Sequence, residues 1–143
     1  MCETTRYRNT DLVLTSSEDL TALAAIFESR GVVQLSLTRG DDRLWHASFE
    51  TRGQHTEPEP NIAAMVAVAE SLGDPHRSVW LGCTRREFNI GFDCGTAPWS
   101  FIQELSSVLL SRIAAIGASL ALTLYAYRGP GNPSQTQRQT RGA

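Results

Sequence analysis

Apolar residues recur along this chain with two periods. In "DLVLTS" (Asp11–Ser16) Leu12 and Leu14 alternate with polar neighbours, which predicts a short first strand. Ser16 and Asp19 then open a helix whose apolar side is Leu20, Leu23, Ile26 and Phe27, and Gly31 ends it. "VVQLSLTRGDDRLWHASFE" predicts two strands around a polar loop at Arg39–Arg43. Pairing Leu37 with Trp45 puts Val33, Leu35, Ala47 and Phe49 on one face and Gln34, Ser36, His46, Ser48 and Glu50 on the other. After the turn-rich linker "TRGQHTEPEP", Ile62, Met65, Val66 and Ala69 mark a second helix. A third starts at "APWS", carries Ile102, Leu105, Leu109, Ile113 and Ile116, and stops at Gly117. "SLALTLYAY" is the last strand, with its leucines on one side and Tyr125 and Tyr127 on the other.

The stretch "CTRREFNIGFDCG" (Cys83–Gly95) holds two of the three cysteines and poses a choice between a thiol or metal site and a hairpin. A turn at Arg85-Arg86 pairs Cys83 with Phe88, Leu81 with Ile90 and Val79 with Phe92, an apolar face broken only by Arg77 opposite Cys94. In this register the cysteines stand about 20 Å apart, too far for a disulfide or a shared zinc ion. The same pairing puts Trp80 on the polar face opposite Gly91. There it either packs over the glycine within the domain or serves as an exposed anchor for a partner.

The expected fold is α+β: a mostly antiparallel sheet with three helices on one face, in the order βα-ββ-α-ββ-αβ. Residues 1–10 are expected to be a flexible N-terminus, 11–127 a single domain, and 128–143 a disordered tail lacking large apolar side chains.

With 143 residues the chain can bury a core without staples, and a net charge of −2 gives no general attraction to nucleic acid or anionic lipid. No apolar run approaches the ~20 residues of a membrane span, and the start "MCETTRYRNTD" is polar, without the hydrophobic stretch expected of a signal peptide. An odd cysteine count fits a reducing compartment, so the expected location is the cytoplasm. The chain has no lysine, as codon usage in a GC-rich bacterial genome would produce. Phosphate-loop, dinucleotide and zinc-protease signatures are missing, and no cofactor or metal is expected. If the strands neighbour one another, Trp80, Tyr125, Tyr127 and His46 form an aromatic and histidine patch on the uncovered face. Arg85 and Arg86 at the hairpin tip would add steering toward an acidic partner.

The closing stretch "WSFIQELSSVLLSRIAAIGASLALTLYAY" resembles a bacterial family, domain of unknown function 4279, which ends in a helix of the form S-x-E-L-L-x-x-L-A-x-L-G-A-x-L and a strand finishing in tyrosine. "LWHASFE" and "NIAAMVAVAESL" resemble that family's tryptophan-bearing strand and next helix. The resemblance implies a non-enzymatic immunity protein that binds and neutralises a cognate toxin; it brings no catalytic residues. The competing reading is a small-ligand binder or small enzyme with a pocket near His46 and Trp80.

Overall fold

The computed structural model describes residues 3–129. The chain runs β1 (Arg6–Ser16), α1 (Thr21–Ser29), β2 (Val32–Arg39), β3 (Trp45–Thr51), α2 (Pro58–Glu70), α3 (His76–Gly82), β4 (Arg85–Asp93), α4 (Ser107–Ala115) and β5 (Ser119–Tyr125). The strands form one sheet in the order β2-β3-β1-β4-β5, antiparallel except for the parallel pair β4–β5. The fold is α+β as expected, but the sheet is mixed and four helices are present among the described residues. A parallel neighbour requires a crossover, and α4 provides it. The expected tail, 128–143, lies almost wholly outside the described residues.

β1 begins five residues before the expected strand. Arg6–Thr10 were expected to be flexible because "RYRNT" has no apolar alternation, yet their backbone pairs with β4 from Asp93 to Ile90. A register shift between Tyr7 and Asn9 lets Tyr7 turn toward the helices while Arg8 turns away. There the Tyr7 hydroxyl meets Thr10 Oγ1 at 2.6 Å and accepts a hydrogen bond from Asn61 Nδ2 of α2 at 2.7 Å. Burial pushes the Tyr7 pKa up.

The main correction concerns the expected hairpin. Its first arm is helix α3, and Arg85 and Arg86 open β4 instead of forming a turn. Val79, Leu81 and Cys83 read as a strand face, but a run this short also satisfies helical spacing, with Trp80 and Cys83 three apart on the buried side. Leu81, expected in the core, is 57% exposed, and Trp80, expected on the polar face, is only 2% exposed. The Trp80 ring lies 6.0 Å from that of Phe27, and its Nε1 donates to Ile116 O at 2.9 Å. Strand β4 still separates Cys83 from Cys94, now by its whole length, roughly 30 Å, so no disulfide can join them.

A second register is also corrected. Leu37 pairs with Ala47 and Arg39 with Trp45, and a bulge between Gln34 and Ser36 pairs Gln34 with Phe49 and Val33 with Glu50. Helix α4 starts at Ser107 rather than near Ala97, because Ser106 Oγ caps it by accepting from Leu109 N. Of the inward residues expected, Leu109 and Ile113 are each 3% exposed, but Ile102 and Leu105 precede the helix and Ile102 is 80% exposed. Gly117 ends it at φ +73°, a conformation that favours glycine. The core lies between the helices and one face of the sheet, around Leu12, Leu14, Phe27, Phe49, Ile62, Met65 and Phe88.

Candidate functional site

Because side chains alternate along a strand, burying Leu12, Leu14, Ala47, Phe49, Phe88 and Ile90 beneath the helices sends their neighbours to the opposite face. The register places Asp11, Val13 and Thr15 of β1 on that face, flanked by Ser48 and His46 of β3 and by Asn89, Glu87 and Arg85 of β4. Ala121, Thr123 and Tyr125 of β5 continue it. This uncovered face is polar, as expected. Its hydroxyls and amides pair across strands, Ser36 with Ser48 and Thr123 with Asn89, each at 2.7 Å.

Two clusters occupy opposite corners of the face. At one, Arg8 stacks 4.7 Å from the Tyr125 ring centroid, and its Nη1 donates to Asp93 Oδ1 at 3.3 Å. Arg6 Nε stands 3.9 Å from Asp93 Oδ2. Gly91 makes room for this packing, since a Cβ there would sit 2.8 Å from Asn9 Oδ1 and 3.5 Å from the Tyr125 ring. At the other corner Thr15 is flanked by His46 and Arg85. His46 Nε2 lies 2.9 Å from Asp42 Oδ2 and its Nδ1 3.4 Å from Thr15 Oγ1. Hydrogen bonds from Leu44 N and His46 hold the Asp42 carboxyl below its usual range. Between the corners Asp11 has its pKa raised, mainly by burial and then by Glu50, with Arg8 opposing.

The expected four-residue patch is therefore not formed. Tyr125, Thr123 and Asn89 are neighbours, but His46 sits three strands from Tyr125 and about eight residues away along them, roughly 30 Å in all. Trp80 is on the other side of the sheet and cannot anchor a partner. Tyr127 is half-buried just beyond the end of β5. Arg85 stays on the open face beside Glu87.

Arg86 points the opposite way and is structural. Its Nη1 donates to the carbonyls of Trp80, Leu81 and Cys83 at 3.1, 3.2 and 2.6 Å, and its Nε donates to Gly117 O at 2.9 Å. One guanidinium thus closes the end of α3 and ties it to the turn after α4. Arg8 and Arg86 were the residues sequence reasoning missed or misassigned; the arginines flanking Tyr7 were the only signal for the first.

Aspartate, histidine and hydroxyl in a row at Asp42, His46 and Thr15 suggest hydrolase chemistry, but the geometry does not carry it. The Thr15 hydroxyl belongs to a residue 8% exposed on a flat sheet, and 3.4 Å is too long for an activating hydrogen bond. Nor do His46 and Trp80 share a pocket, since the sheet separates them. A cavity of about 560 Å³ lies instead between the start of α2 and residues 103–106, lined by Glu57, Glu59, Gln103 and Glu104. Burial pushes the Cys83 thiol up to about 11, the reverse of a reactive thiolate. Among the described residues no three His, Cys, Asp or Glu side chains converge on a metal position, and no helix is long and apolar enough to cross a membrane. No family model, curated protein or solved structure matches the chain.

Proposed function

We propose that this chain is a non-enzymatic binding protein that neutralises a cognate bacterial toxin by laying the uncovered face of its sheet against it. The observation that carries the reading is the corner built from Arg8, Tyr125 and Asp93. An aromatic ring and a guanidinium, the side chains enriched at binding hot spots, are already stacked and ion-paired on rigid strands. Such a surface loses little conformational freedom on association. Arg85 and His46 supply a second polar contact across the same face, and Tyr127 extends it beyond β5. The resemblance to the domain of unknown function 4279 family supports a toxin as the partner, acting in the cytoplasm and without cofactor or metal. Neutralisation then requires only that the bound domain block the toxin's own site.

Co-expression with a candidate toxin whose gene neighbours its own tests this directly. The wild-type chain should restore growth, and Tyr125→Ala should weaken binding by about 2 kcal/mol with an unchanged melting temperature, because Tyr125 is 47% exposed. Failure of the wild type to bind the toxin rejects the reading.

A further inference from the structure

The two edges of the sheet differ in a way that suggests a second interaction surface. β2 is broken by the bulge at Gln34–Ser36 and ends in Arg39, both devices that discourage another strand from pairing. β5, the opposite edge, pairs with β4 without a register break from Ser119 to Tyr125. From Ser119 to Tyr127 it contains no charge and no proline. Among the described residues no further strand faces its outer backbone groups.

This edge is also apolar on its helix side. Leu122 and Leu124 are 65% and 66% exposed, although their partners on β4, Ile90 and Phe92, are buried. Phe101 packs edge-to-face against Phe92 with ring centroids 5.6 Å apart and remains 42% exposed. Arg112 of α4 binds Glu70 of α2 at 2.7 Å, so Leu110, two residues earlier and 43% exposed, lies on the side of α4 away from α2, toward β5.

We propose that β5 pairs with β5 of a second copy of this chain, antiparallel across a two-fold axis at Leu122. That axis sets Leu122 against its own copy, Leu120 against Leu124, Ala121 against Thr123 and Ser119 against Tyr125, so leucines meet leucines and no charge meets a charge. Two five-stranded sheets become one continuous sheet. The exposed parts of Leu110, Phe101, Leu122, Leu124 and Tyr125, with the paired backbone, come to several hundred Å² per copy, the order of the ~800 Å² per partner in a stable interface. The chain's own remaining segment is a poor substitute, because Pro130–Ala143 contains no large apolar side chain. The inference does not rest on the toxin reading, although the paired edge reaches Tyr125, which that reading also uses.

Light scattering on the full-length chain, eluted from a sizing column at roughly 100 μM, decides it. The expected mass is twice the 15.7 kDa of the chain. Leu122→Lys with Leu124→Lys should return it to a folded monomer whose melting temperature no longer rises with protein concentration, while Leu35→Lys at the other edge leaves the dimer intact. Leu122→Cys should cross-link to its own copy under mild oxidation, whereas Leu35→Cys should not. A monomeric wild type, a dimer that survives the double lysine change, or cross-linking only through position 35 overturns the proposal.

Discussion

β1 and β5 carry the same leucine alternation but differ in what covers it. Leu12 and Leu14 are fully buried at the centre of the sheet, whereas Leu122 and Leu124 are two-thirds exposed at its edge. Period-two patterning decides which side of a sheet a residue faces. It does not decide whether a helix lies over that side. Here α4 shields β4 and stops short of β5, so identical sequence signals become core in one strand and surface in the other. At about 25 cal/mol per Å² of apolar surface, the difference is worth up to ~2–3 kcal/mol for each leucine.

The largest test of this contrast concerns Trp80, the aromatic residue whose assignment moved from surface to core. Trp80→Ala should cost about 3–5 kcal/mol of stability, read as a lowered denaturation midpoint. A variant that melts like the wild type would place Trp80 outside the cover. Next is Arg86→Ala, which strands four carbonyl groups at the seam between α3 and α4 and should cost about 2 kcal/mol or more. Arg85→Ala, a neighbour on the uncovered face, should change stability by less than about 0.5 kcal/mol. Equal losses would contradict the opposed directions assigned to these two side chains.

These arginines also show where the sequence was legible. The core faces of α2 and α4, the α+β class and the polar character of Ser36, Ser48, His46, Asn89, Thr123 and Tyr125 followed from periodicity. Seven residues of α3 were too few to separate helix from strand. The false pairing of Trp80 with Gly91 followed, although Gly91 in fact faces Asn9 and Thr123. Arg6–Thr10 form a strand through backbone pairing, which leaves no apolar trace. The Arg8–Tyr125 stack joins residues over a hundred positions apart and depends on β1 lying beside β4, a neighbour choice that local pattern does not encode.

A small effect of opposite sign is expected on the open face. The folded state raises the pKa of Asp11 above its ordinary 3.8, so it holds this proton more tightly than the unfolded chain does. The ionised carboxylate therefore costs stability above the folded pKa and nothing below 3.8. Asp11→Asn should stabilise the domain at pH 7 by less than about 1 kcal/mol, because partial exposure screens the charge. The gain should fade as pH drops through the folded pKa toward 3.8. A gain that persists in acid would mean that the charge is not its source.

Partial cover of the sheet is tested most directly by one paired measurement: urea unfolding of Leu12→Ala and Leu122→Ala, each at a concentration low enough to keep the chain monomeric. The two variants remove the same atoms from the same side of one sheet. Leu12→Ala should lose about 2–5 kcal/mol and Leu122→Ala less than about 0.5 kcal/mol. Equal losses would mean that β5 is covered as β1 is, and that its edge offers no surface to a partner.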